Sequence, residues 1–292
     1  MLRMWALLTL LICCFPLPAQ AGTAEPLFPF IKLEEPYGSV SDAANRIART
    51  LSGAGYVSLG FADVNKGLRV MAFYKPQWLQ AWANSSPVAL FGAVVHVGVQ
   101  QEGRHAVVSL ANPLWRTHLY HMSPAIGQQL AADLAAHLGQ GTPYGLKQGY
   151  PPERIADLRY FPLAYGVEDF TTIAQHPSHA SAVAAVEAGL KKYHTLAKSL
   201  YKLHLPQRGT TLYGIAPIAK DDLITPLWQK HTLKPAAHLP YTLLVQPDGQ
   251  VQMHHPQFAL LAHYPNLSLR SMLSSLDDLY RPVTELLTKI AR

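Results

Sequence analysis

The sequence predicts an α+β protein made of two similar α-β-β-α-β-β-α units, each an antiparallel sheet packed with helices, related by internal duplication. Two observations lead there. The stretch 89–121, ALFGAVVHVGVQQEGRHAVVSLANPLWRTHLYH, has a degenerate copy at 238–263, HLPYTLLVQPDGQVQMHHPQFALLAH. Each copy runs from an apolar strand through a tight polar turn (Gln101-Glu102-Gly103; Pro247-Asp248-Gly249) into a second strand, then an X-Pro stop followed by an aromatic. That is a β-hairpin used twice. The elements flanking the two hairpins also come in the same order, which argues for duplication more strongly than the few identical residues do.

Residues 1–21 read as a secretory signal peptide: Arg3, an apolar run over 5–17 and the small-x-small site Ala19-Gln20-Ala21. Its removal takes away Cys13 and Cys14, the chain's 2 cysteines. The mature chain then has no disulfide, thiolate ligand or cysteine nucleophile. No other run is long and apolar enough to cross a bilayer, so the expected location is periplasmic or secreted. With 49% hydrophobic and 14% charged residues the chain is no disordered polymer. Its net charge of +6 comes from scattered Lys and Arg, so a nucleic-acid partner is not expected.

The first unit covers 22–140. A Pro- and aromatic-rich lead-in over 22–37 should run extended and pack on it. Val40, Ala44, Ile47 and Leu51 have helical spacing, with Ser39 or Ser41 as cap and Gly53 as stop. Strands follow at 56–61 and 68–74, then a helix over 77–83 with Trp78 and Trp82 on one face, and the hairpin over 89–111. A helix opens at Ser123-Pro124 and ends at Gly139. Residues 141–179, with five prolines and no periodicity, form an interdomain segment.

The second unit covers 180–292. Val183, Val186, Leu190, Tyr193, Ala197 and Leu200 predict one long amphipathic helix, with Lys191, Lys198 and Lys202 on its far side. Residues 212–215 align with 71–74, and residues 221–228 take the place of the Trp-bearing helix. The hairpin copy is next, then a helix over 267–279 with Leu269, Met272, Leu273 and Leu276 inward, which Pro282 breaks before 283–290.

A helix, a strand pair, the helix starts Phe73-Tyr74-Lys75-Pro76 and Gly214-Ile215-Ala216-Pro217, and a hairpin opening near Leu239-Pro240 and closing on Asn112-Pro113 or His255-Pro256 together resemble the bacterial family called domain of unknown function 302. The resemblance implies an exported tandem of small α+β units, pairing within one chain, and supplies no activity or catalytic residue.

Hydrolase, nucleotide-binding, haem and zinc-protease motifs are absent, and no acid/base pair stands out. The expected role is a non-catalytic binding or accessory protein. Trp78, Trp82, Trp115, Tyr144, Tyr150, Tyr160, Phe161 and Tyr165 would line a groove between the units for a small apolar ligand or a protein partner; core packing is the alternative for the tryptophans. A second reading is a copper or zinc carrier, using His118, His121 and Met122 after the first hairpin and His254, His255 and His263 after the second, where imidazole and thioether suit those metals. Because His254 and His255 are neighbours on a strand, at most one can join a given site. A hydrolase with an unrecognised site is the third reading.

Overall fold

The computed structural model describes residues 25–159, 164–218, 236–276 and 280–292. The signal peptide expected over 1–21, Tyr160, Phe161 and the helix expected over 221–228 lie outside the described residues.

The chain is α+β, with two antiparallel sheets. The first has β1 (Phe30–Tyr37), β2 (Val57–Asn65), β3 (Leu68–Tyr74), β4 (Val95–Glu102), β5 (His105–Ala111) and β6 (Thr142–Tyr144), ordered β2-β3-β4-β5-β1-β6. The second has β7 (Phe170–Gln175), β8 (Ala197–Leu205), β9 (Thr210–Pro217), β10 (Tyr241–Val245) and β11 (Gln250–His254), ordered β8-β9-β10-β11-β7. Within each half the first strand therefore pairs with the last of its hairpin.

Helices α1 (Val40–Gly53) and α4 (Pro124–Leu138) cover the outer face of the first sheet. Ile47, Leu51, Leu130 and Leu134 pack there on Met71, Phe73, Val97 and Val108. Ser39 caps α1 by accepting from the Asp42 N–H. Helices α6 (His179–Lys192) and α9 (Arg281–Ala291) cover the outer face of the second sheet, where Val186, Val283, Leu287 and Ile290 meet Tyr213, Ile215 and Leu243.

The inner faces pack on each other. Ala62, Val64, Leu68 and Val70 of β2 and β3 share one core with Leu203, Leu205, Leu212 and Leu244 of the second sheet. Period-2 alternation makes this possible: each strand sends alternate residues to an outer and an inner core. Two glycines mark where the halves touch most closely. A Cβ on Gly60 would lie 2.5 Å from the Leu200 carbonyl oxygen, and one on Gly98 would lie 2.4 Å from the Ala236 backbone. The 3-10 turn Ala236–His238 thus crosses directly over β4, and its Ala237 N–H donates to Ser109 Oγ at 3.2 Å.

Four expectations change. The long helix stops at Lys192, and Ala197 and Leu200 belong to β8. Their three-residue spacing imitates a helix, but Tyr201, Leu203 and Leu205 alternate with exposed Lys202 and His204, and a bulge between Ser199 and Tyr201 resets the register. Lys191 is consequently on a helix and Lys198 and Lys202 on a strand, with Lys202 bonded to Glu187. The hairpin's first strand begins at Val95 rather than residue 89, because Val88–Gly92 coil into a buried 3-10 turn with Gly92 against the Trp82 ring. The X-Pro stops are also helix starts: α3 (Pro113–Leu119) and α7 (Pro256–His263) each begin at the proline, with Asn112 and His255 accepting from the N–H two residues on. Finally, Leu273 of α8 (Leu269–Ser275) is exposed while Met272 is buried. Pro282 sits in the first turn of α9, which runs on from it to Ala291; residues 277–279, which precede this helix, lie outside the described residues. β1 and β6 show that the lead-in and the start of the 141–179 segment complete the first sheet, and β7, also in that segment, edges the second.

Candidate functional site

Between the two sheets lies a cavity of about 60 Å³, lined from both halves. Phe91, His96, Arg116 and Tyr120 come from the first; His238, Tyr241, His254, Phe258, His263 and Tyr280 are among those from the second. Secondary structure explains each arrival. On β4, Val95, Val97 and Val99 go to the outer core, so His96 must point inward. Arg116 is carried in by α3, whose capping residue Asn112 is itself anchored by a 2.7 Å bond from Nδ2 to the Phe28 carbonyl. His254 ends β11 and His263 ends α7.

Arg116 meets only neutral acceptors. Nη1 donates to the Val94 carbonyl at 3.0 Å and lies 3.5 Å from His96 Nδ1, Nη2 donates to the Phe91 carbonyl, and the Tyr120 hydroxyl takes a further bond. Among the described residues no carboxylate pairs with it. With Arg116 donating to Nδ1, the His96 proton resides on Nε2, which faces the Tyr201 hydroxyl at 3.3 Å. Burial, and then the Arg116 charge, hold His96 well below the ordinary histidine range.

His254 sits in a box of rings, with centroids at 4.0 Å from Phe91, 5.8 Å from Tyr120, 5.0 Å from Phe170 and 4.9 Å from Phe258. Neither of its ring nitrogens has a hydrogen-bond partner among the described residues, and the Tyr241 hydroxyl is likewise unpartnered. Burial pushes His254 down to about 3, helped by His263 and Arg116. His263 also falls to about 3, through burial first and His238 next, although its Nδ1 donates to the Ala259 carbonyl at 2.9 Å. At neutral pH His96, His254 and His263 are therefore uncharged imidazoles beside the Arg116 guanidinium.

No family model matches the chain, and no curated protein does. Among solved structures it is similar to an uncharacterised conserved DUF302 protein from Bacillus stearothermophilus, at 15% identity and a TM-score of 0.34, over 38% of this chain and 95% of that one. It is also similar to the di-domain ARO/CYC StfQ from the steffimycin biosynthetic pathway, at 10% identity and a TM-score of 0.22, over 90% and 96% of the two chains. Likenesses at these scores carry no chemistry across.

The aromatic residues expected to line a groove are dispersed. Trp82 and Trp115 are buried in the core between the sheets, and Trp78 packs against its edge. Trp115 Nε1 donates to the Ala262 carbonyl at 3.1 Å and the Tyr150 hydroxyl to the Pro265 carbonyl at 2.9 Å, so both tie the halves together. Tyr144 lies on the edge strand β6 under Lys32, and Tyr165, exposed, stacks on His255 with centroids 3.4 Å apart. A larger cavity, about 550 Å³, is an apolar cleft between α7 and α9 that includes His255 and Tyr280.

Of the proposed metal ligands, His254 and His263 come to the same cavity, and the others separate. His121 donates from Nε2 to the Ala156 carbonyl at 2.7 Å and faces Glu168, His118 is half-buried near Glu153, and Met122 is buried. His254 and His255 point apart, as strand geometry requires. Among the described residues, no group of three or more His, Cys, Asp or Glu side chains is placed to hold a metal ion. Of the cavity's residues the sequence reading named His254 and His263 and missed His96, Arg116, His238 and Tyr241. One signal was present: a histidine inside the run Val94-Val95-His96-Val97 has little chance of reaching water.

Proposed function

We propose that the chain is an exported, non-catalytic binding or accessory protein, a duplicated pair of units resembling the domain of unknown function 302 family, whose ligand occupies the cavity between the sheets. The observation that carries this reading is His254, buried with both ring nitrogens unpartnered at the wall of a cavity. A buried polar group without a partner costs about 1–3 kcal/mol, and a ligand that bonds to it recovers that loss. Among the described residues the lining holds no carboxylate, serine, cysteine or lysine, and burial keeps His96, His254 and His263 uncharged and weakly basic at neutral pH, which favours binding over acid/base catalysis. Export rests on the N-terminal signal pattern, and no helix among the described residues is long and apolar enough to cross a membrane.

The test is a set of thermal melts of the untagged exported protein against small polar molecules, copper and zinc, with His254→Phe as comparator. Phenylalanine fills the same ring box and lacks the nitrogens. A compound that raises the wild-type melt by several degrees and leaves His254→Phe unmoved supports the cavity as the site, since only a native-state ligand shifts the transition. A panel that moves both proteins alike, or neither, overturns it.

A further inference from the structure

Resting on the binding role above, we propose that the cavity takes a small planar oxyanion, a carboxylate or hydrogen carbonate, bound to the Arg116 guanidinium with His254 and Tyr241 supplying further hydrogen bonds. Three features of the site point to this class. The first is charge. Arg116 lines the cavity and spends its donors on carbonyls, an imidazole and a phenol, none of which neutralises it. Arg116 is part-buried; a charge partly withdrawn from water without a counter-ion still carries a cost, and an anion is the occupant that removes it. A metal cation at the same place would face the guanidinium instead.

The second feature is donor chemistry. The Tyr241 hydroxyl and the His254 ring are both without partners. A neutral imidazole offers one N–H and a phenol one O–H, so both can donate to oxygens of a bound anion. Arg116, its N–H groups largely taken by the protein, contributes chiefly its uncompensated positive charge.

Size is the third feature. A site needs roughly 10–15 Å³ to hold one water, so a cavity of about 60 Å³ has room for a ligand of about four such atoms. Formate, acetate and hydrogen carbonate fall within that limit. Benzoate and citrate exceed it.

The experiment titrates wild-type protein with sodium formate, acetate and hydrogen carbonate at ionic strength held constant with sodium gluconate, which is too large to enter. Formamide and acetamide serve as neutral isosteres. Melts are followed together with carbon NMR of the labelled anions. We expect a saturable rise in melting temperature and line broadening with the three anions, none with the amides or with benzoate, and binding weakened at least about tenfold in His254→Phe and in Arg116→Lys, which cannot make the several bonds that fix the charge at the cavity wall. His254→Phe keeps the ring packing, so it remains informative if Arg116→Lys fails to fold. Equal binding of the amides overturns the anion assignment and leaves the binding reading standing. Shifts that citrate also produces, or that persist in His254→Phe, mark surface ion effects and overturn the assignment. A panel in which nothing binds overturns both.

Discussion

On β4, Val95, Val97 and Val99 turn outward into an aliphatic core beneath α1 and α4, while His96 turns inward to Arg116 and Tyr201. On the second sheet, Leu243 and Val245 of β10 join Val283 and Ile290 in an outer core, and Thr242 faces the cavity. The outer cores are apolar and close-packed, which is enough to hold each sheet to its helices. The cavity end of the inner layer carries buried imidazoles, phenols and a guanidinium that stability alone does not call for, because an apolar filling of the same shape would be as stable or more so. The contrast teaches that the outer faces make the fold and that the polar part of the inner face is kept for something else.

The largest expected effect breaks the apolar side. Leu51, fully buried beneath the first sheet's helices, should destabilise the protein by about 2–5 kcal/mol when changed to alanine, through lost transfer energy and the cavity left behind. Urea titration measures this. Residual folded Leu51→Ala should still respond to cavity ligands, and loss of that response at temperatures where the variant is folded would show that the outer and inner layers are not separable.

A middle-sized effect comes from the polar side and has a pH signature. His254 has an ordinary value of 6.5 and a folded value of about 3. Between those limits the unfolded chain binds a proton that the folded one refuses, so stability rises with pH there and falls on acidification. Above 6.5 the group has no effect; toward 3 it removes about 1.4 kcal/mol per pH unit. His254→Phe should match or exceed wild-type stability at neutral pH and lose stability less steeply from pH 6.5 downward. Parallel curves for the two proteins would mean that His254 is solvated or already partnered.

Much of the framework was legible in the sequence, and the site was only partly so. The paired hairpins, α1, α2 (Pro76–Ala83) and α4 follow from apolar spacing, caps and turn glycines, all local signals. β8 was misread because its residues satisfy two periodicities at once and only the bulge decides between them. The cavity was hidden for a different reason. His96, Arg116, His238 and His254 lie far apart along the chain and meet only when two sheets stack, and stacking depends on features such as the missing side chain of Gly98. Of the aromatic residues that looked like a ligand groove, Trp82, Trp115 and Tyr150 instead serve as the core and ties between the halves, which is where large rings usually go.

The smallest expected effect is at the rim of the first outer core, where charge is stabilising rather than anomalous. Asp133 of α4 accepts from the Tyr56 hydroxyl at 2.6 Å and from Lys75 Nζ at 2.8 Å, joining α4 to the residues that precede β2 and α2. Burial alone would raise its carboxyl, but the bonds from Lys75 and Tyr56 outweigh that and hold it below its ordinary 3.8. Asp133→Asn keeps the volume and removes the charge, so a loss of about 1 kcal/mol at neutral pH is expected, modest because the pair is partly exposed. The sign with pH follows the depressed value: the contribution is present above 3.8 and disappears as pH falls through the lower folded value. Wild type and Asp133→Asn should therefore converge only in strong acid, whereas wild type and His254→Phe diverge already below pH 6.5. Measuring both variants across the same acid series separates the two layers by the window in which each one titrates.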